Sequence, residues 1–212
     1  MSFSPEYFNA LVKARRSVFP DQFEHGKRVP DEIIRQIVEN ATWAPNHGQM
    51  EPWNFTVFTG DGLKTLAGFQ SELYKKDAGA DFNEGKYVKL QQQPLKASHV
   101  ISIGMKRTTT KRIPETEDIA AVACAVQNIY LSVTAYGQAS YKSPLYSSHS
   151  LANFCQSRLS PLKEGLGFCP SIAFHNPWTP WTYPVGLECL HSRDRLNSTL
   201  RWRHWLTHSQ QK

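Results

Sequence analysis

The sequence predicts a single α+β domain, and three observations carry that prediction. Ile33, Ile34, Ile37, Val38 and Ala41 recur at helical spacing, as do Ile119, Val122, Ala123, Val126, Ile129, Tyr130 and Val133. Between them, Trp53, Phe55 and Val57 alternate along WNFTVFTG with the period of a strand. A third run, SHVISIGM at 98–105, is apolar without alternation, as in a strand buried on both faces. The 212 residues suit one domain with a proper core, and 40% hydrophobic with 12% aromatic content excludes a disordered chain.

Taken in order, residues 5–14 place Tyr7, Phe8, Leu11 and Val12 on one helical face and lead directly into Arg15-Arg16-Ser17. Two guanidiniums and a hydroxyl at a helix end suit phosphate oxygens, since arginine offers forked donors. On residue type alone, the same triplet also reads as solvated surface. The second helix, 30–43, opens with Pro30, Asp31 and Glu32, which fit the first turn and its positive dipole end. Pro45 then forces the chain out of the helix by Ala44.

Across that exit runs ATWAPNHGQMEPWNF, residues 41–55, with Asn46, His47, Gln49 and Glu51 set between Trp43 and Trp53. Flat apolar walls with several polar tips suit a planar, polar-edged ligand. The same composition suits a helix–strand connection whose tryptophans belong to the core. Beyond the strand, Leu63, Leu66, Phe69 or Gln70, and Leu73 give a helix over 62–75, and residues 75–96 are polar without recognisable chemistry. The basic, threonine-rich run 106–114 reads as a turn or exposed loop. The helix at 115–136 opens with Glu115, Glu117 and Asp118. Small residues around Ala120–Ala125 permit close approach by another helix, and Cys124 is expected to be a small buried residue.

These motifs resemble a known family. The stretch Trp43-Ala44-Pro45-Asn46 … Glu51-Pro52-Trp53 is similar to the W-A-P-S/N-x-x-x-x-Q/E-P-W signature of the nitroreductase flavoenzymes. It comes after Arg15-Arg16-Ser17 and a P-D-E-x-I-x-x-I-x-E-x-A helix, in the order that family shows. The resemblance covers about residues 10–58 and continues more loosely to Gly137 through Gln127-Asn128. It implies a central, mostly antiparallel sheet flanked by helices, assembled as an intertwined homodimer with FMN at the interface. It further implies that Arg15, Arg16 and Ser17 hold the phosphate end, while Trp43, Pro45, Asn46 and His47 lie along the flavin or its ribityl chain, contributed by the same or the other subunit. The implied reaction is ping-pong: NAD(P)H reduces the flavin, which then reduces a nitroaromatic, quinone or similar small-molecule acceptor. No general acid or base is singled out, because the cofactor carries the hard chemistry.

The pattern changes after Gly137. Five of eight histidines, three of four cysteines and four of six tryptophans fall in the last 75 residues. Expected strand positions carry Cys169, Pro170 and His175. Either this tail diverges, wrapping a partner subunit, or part of it is translated out of frame; the abrupt shift in composition favours the second. The chain is therefore read as one domain, 1–212, with 138–212 matching poorly and contributing little to the site.

Charge and cysteine usage narrow the partners. Residues 1–137 hold 16 basic and 15 acidic side chains, against 8 and 3 in the tail, so the net charge of +6 belongs mostly to the tail. Nucleic-acid binding by the body is not expected, although a basic interaction module using Arg201, Trp202, Arg203, His204 and Trp205 is the alternative from another class. A flavin-binding protein with little reductase activity is the alternative within flavin chemistry. Cys124, Cys155, Cys169 and Cys189 show no metal-ligand spacing, so no metal site is expected. No apolar run long enough for a membrane span is evident, and the first residues lack signal-peptide character; a cytoplasmic location is expected.

Overall fold

The structure, a computed structural model, describes residues 4–24, 26–106, 113–144, 166–167, 170–175 and 187–190. Most of the 106–114 loop, Cys155, Cys169 and the basic-aromatic run at 201–205 lie outside the described residues. Among the described residues, five α-helices form: α1 (Pro5–Ala14), α2 (Asp31–Ala41), α3 (Asp61–Ala78), α4 (Glu84–Gln92) and α5 (Glu115–Ala135). Strands β1 (Trp53–Thr59), β2 (His99–Lys106), β3 (Ala139–Pro144), β4 (Leu166–Gly167), β5 (Pro170–His175) and β6 (Leu187–Leu190) make one sheet. Its order is β3-β5-β2-β1-β6, with β4 also on β2, and every described pairing is antiparallel. The α+β expectation and its central antiparallel sheet are met.

The β1–β2 pair is the centre, in register from Trp53↔Met105 to Thr59↔His99. Phe55 and Val57 lie opposite Ile103 and Ile101 and face α2 and α5, packing with Ile34, Ile37, Val38, Val122, Ala125, Val126 and Ile129. Phe58 and Val100 point to the other face, against Leu63 and Leu66 of α3 and Phe23. Both faces of β1 are thus covered, which extends the one-sided alternation expected there. Cutting a fully buried core residue such as Ile37 to alanine removes about 2–5 kcal/mol of stability. On α3, the inward positions are Leu63, Leu66, Ala67, Gln70, Ser71 and Tyr74; Gln70 takes the place left open with Phe69, and Tyr74 replaces the expected Leu73.

Helices α2 and α5 are also joined by polar contacts. Asn40 donates through Nδ2 to Ser132 Oγ at 3.0 Å, and Asn128 donates to the Asn40 carbonyl at 3.2 Å. At its start, α2 is fastened to β2. His99 is 1% exposed; its Nε2 lies 3.0 Å from Asp31 Oδ1 and its Nδ1 3.1 Å from Ser98 Oγ. Arg28 donates to the same Asp31 oxygen at 2.9 Å, and the Val29 N–H donates to Ser98 Oγ at 3.3 Å. This pattern assigns the neutral imidazole with its proton on Nε2. The His99 hydrogen bond, then Arg28, hold the Asp31 carboxyl down to about 2, against the opposing effect of burial. Burial lowers the His99 pKa in spite of the adjacent carboxylate.

Helix α1 forms where periodicity puts it and buries none of its residues: Tyr7, Phe8 and Val12 are exposed. Three expectations need correction. Cys124 is exposed, because it falls on the face of α5 turned away from α2 and the sheet. Helix α5 is, by length and composition, apolar enough to cross a membrane, contrary to the sequence expectation; here Val122, Ala125, Val126, Ile129 and Val133 line the core. The orderly pattern was expected to stop at Gly137, but β5 inserts between β2 and β3, and β6 borders β1. Pro170, expected to spoil a strand, sits at the first position of β5, where its missing N–H is tolerated.

Candidate functional site

The Arg-Arg-Ser triplet is placed by the end of α1. Arg15 closes that helix, its N–H donating to the Leu11 carbonyl. The next apolar residue, Val18, donates its N–H to the Ser140 carbonyl of β3 at 3.0 Å, and Phe19 packs on Tyr141 with ring centroids 4.9 Å apart. A three-residue bridge is thereby held at both ends. Arg15 extends over the Tyr130 ring, 5.8 Å from its centroid, and its Nη1 is 3.5 Å from Ser17 Oγ. Burial pushes the Tyr130 hydroxyl up to about 12, with Arg15 opposing. Arg16 spends one terminal nitrogen on the carbonyls of Lys13 and Arg15, at 2.6 and 2.9 Å, which caps the helix end. Its side chain and Ser17 are exposed.

The second predicted group lies where α2 gives way to β1. Trp43 is 66% exposed and Pro45 is exposed, whereas Trp53 is buried in the core with its indole N–H unpaired. Of the two tryptophans, only Trp53 belongs to the core. Asn46 accepts the Glu51 N–H at Oδ1, 3.0 Å away, and so closes the loop on itself. Within that loop Gly48, Gln49 and Glu51 have φ of 58°, 57° and 45°. Glycine takes the left-handed region freely, but Gln49 and Glu51 do so under strain. His47 pairs through Nδ1 with Glu117 in the first turn of α5.

One chain does not bring the two groups together. Arg15 meets α5 at Tyr130, and His47 meets it at Glu117. Those positions are roughly three and a half turns apart, about 20 Å along the helix at ~1.5 Å per residue. Glu117 and Tyr130 are also the two neighbours that the sequence alone did not reveal. Glu117 reads locally as a dipole-favoured first-turn acid, and Tyr130 as one more periodic apolar position. Neither carries a local signal for a contact so distant in sequence.

The nitroreductase family model matches residues 12–143, spanning both groups and the helix between them. The chain belongs to the nitroreductase family. Curated relatives include YdjA of Escherichia coli K12, provisionally named an NAD(P)H nitroreductase, at 26% identity over 106 residues, which is 50% of this chain and 56% of that one. YfhC of Bacillus subtilis 168, named in the same way, is 24% identical over 121 residues, 57% and 60% of the two chains. The match therefore spans little more than half the length of these nitroreductases. Solved structures share the fold across most of the chain. A nitroreductase-like protein from Bacillus cereus superposes with a TM-score of 0.61 at 21% identity, covering 87% of this chain and 94% of the other. The FMN-dependent nitroreductase NfnB from Mycobacterium smegmatis, solved with NADPH, gives 0.58 at 19% identity over 80% and 86%. CinD of Lactococcus lactis, solved with chloramphenicol, gives 0.62 at 14% identity over 84% and 93%.

Proposed function

We propose that this nitroreductase-family chain is an FMN-dependent NAD(P)H oxidoreductase that works as a homodimer, with each flavin site assembled from two chains. The observation that carries this reading is the placement of the two motifs against opposite ends of α5. A two-fold axis crossing that helix near Cys124 would exchange its ends. The Arg15-Arg16-Ser17 triplet of one protomer would then stand beside the Trp43–His47 loop of its partner. The face of α5 available for such a crossing is small and exposed: Ala120, Ala123, Cys124 and Gln127, at positions i, i+3, i+4 and i+7. The uncovered Tyr7, Phe8 and Val12 of α1 add apolar surface that a second copy would bury.

The donor set fits FMN. Arg15 and Arg16 keep several N–H donors beyond the contacts described, and Ser17 adds a hydroxyl, which together suit a terminal phosphate dianion. No G-x-G-x-x-G turn for a dinucleotide occurs in the sequence. When bound, FMN would supply the redox chemistry, taking hydride from NAD(P)H and passing two electrons to a nitroaromatic, quinone or similar acceptor. The chain's task is to hold and orient. The arginines and Ser17 fix the phosphate end, Trp43 and Pro45 offer flat apolar contact, and Asn46 and His47 offer polar edges.

Heat release of the cofactor from purified protein, with chromatography of the supernatant, tests the reading; FMN is expected. Recovery of FAD alone, or no binding after reconstitution with FMN, contradicts it. Arg16→Ala should weaken FMN binding by about 1.5–3 kcal/mol, the value of a hydrogen bond to a charged group, without unfolding the chain. Titration of the apoprotein measures this. An unchanged dissociation constant would return Arg16 to the surface role.

A further inference from the structure

The Asn46–Glu51 loop holds two non-glycine residues, Gln49 and Glu51, in the left-handed region within three positions of each other. Such backbone persists only where its surroundings over-determine it. Inside the loop, two hydrogen bonds do part of this: Asn46 Oδ1 with the Glu51 N–H, and the His47 carbonyl with the Met50 N–H at 3.2 Å. Both tie the loop to itself. Contacts with the start of α5 help to set its position on the body. The Ile113 side chain lies beside Gly48, where an added Cβ would meet its Cδ1 at 3.7 Å, and Glu117 pairs with His47 across 70 residues of sequence. Glu117 itself is fixed, because it belongs to the first turn of a helix whose inner face is core. His47 has no such anchor.

We propose that Glu117 is a positioning residue for this loop: by pairing with His47 it clamps the strained turn onto α5 and holds the Trp43–His47 segment in its flavin-accepting conformation. The proposal rests on the reading of that segment as half of an FMN site. It gives Glu117 a role distinct from dipole capping, which Glu115 and Asp118 of the same turn also serve. The side chains of His47 and Glu117 are 55% and 42% exposed, so breaking the pair should open the loop without disturbing the fold.

Amide hydrogen exchange over residues 46–51 of the ligand-free protein, read by mass spectrometry, tests the clamp directly. Glu117→Gln and His47→Gln should each speed exchange there about 1.5-fold to fivefold, the range of an exposed pair, with the core unchanged. His47→Lys offers an ammonium donor to Glu117 and should preserve slow exchange, and the double variant H47Q/E117Q should open no further than either single. In parallel, FMN titration should show affinity lowered by a similar factor in E117Q. Unchanged exchange in E117Q overturns the clamp, whether or not FMN binds. Faster exchange with unaltered FMN affinity overturns the positioning role. A wild-type chain that binds no FMN contradicts the proposed function instead, and the exchange result still decides the clamp.

Discussion

At its first residue, α2 is fastened by Asp31, whose carboxylate takes hydrogen bonds from a buried imidazole and a guanidinium. At its far end it releases the chain into a loop with an exposed tryptophan, strained backbone and the His47–Glu117 contact reaching α5. One helix thus carries a closed end and an open end. In the closed end, the ring nitrogens of His99 and the hydroxyl of Ser98 all have partners, and the groups are mutually determined. In the open end, apolar surface and polar tips face outward. The difference separates stability from binding: the first end should be costly to alter and irrelevant to a ligand, the second cheap to alter and decisive for one.

The largest expected break is at the closed end. His99→Ala removes a buried ring and one hydrogen-bond partner each from Ser98 and Asp31, and should lower unfolding free energy by about 2–4 kcal/mol in urea denaturation. FMN affinity, measured where the variant remains folded, should stay near wild type. Equal loss of affinity and stability would mean the two ends are coupled.

Acid should act on the same end, with a smaller effect. The unfolded chain binds a proton at His99 near its ordinary value of 6.5, while the folded chain resists until lower pH. Stability from this group is therefore complete above about 6.5 and is lost as pH falls below it. Asp31 adds a second loss between its ordinary 3.8 and about 2. Urea midpoints taken from pH 7 to pH 5 should fall for wild type and flatten for His99→Gln. A wild-type midpoint that rises on acidification would show that His99 is charged in the folded state.

The smallest expected effect on stability is at the open end. Trp43→Ala should change unfolding free energy by less than about 0.5 kcal/mol, as for an exposed surface position. It should weaken FMN binding by about 0.5–1.5 kcal/mol if the indole lies against the flavin. Loss of stability without loss of affinity would reverse the contrast between the two ends.

How far the sequence revealed these ends depends on the range of the forces involved. Helical period in Ile34, Ile37 and Val38, and alternation in Phe55 and Val57, are local records of burial, and both elements formed as read. Arg15, Arg16, Ser17, Trp43, Pro45, Asn46 and His47 were singled out by resemblance to the family's motifs, since residue type alone left both stretches open between binding site and surface or core. Partnerships across the fold were not legible: nothing near Glu117 points to His47, and nothing near His99 points to Asp31. The apolar face of α1 was legible as a face but not as exposed, because periodicity marks amphipathic helices whether the apolar side meets its own chain or another. Strand β5 was obscured for a related reason. PSIAFH carries Pro170 and His175 at its ends, where strand rules are weakest.

The central claim is that each flavin site takes its phosphate grip from one chain and its Trp43–His47 loop from the other. Mixed dimers test it most directly. One chain would carry Arg15→Ala and Arg16→Ala, the other Trp43→Ala and Asn46→Ala, with different affinity tags so that the heterodimer can be purified. If sites are shared between chains, the heterodimer holds one intact site and one doubly damaged site. It should bind one FMN per dimer with close to wild-type affinity, although neither variant homodimer does so. If both motifs of a site come from the same chain, every site in the heterodimer is damaged. FMN binding no better than that of the two homodimers would contradict the account.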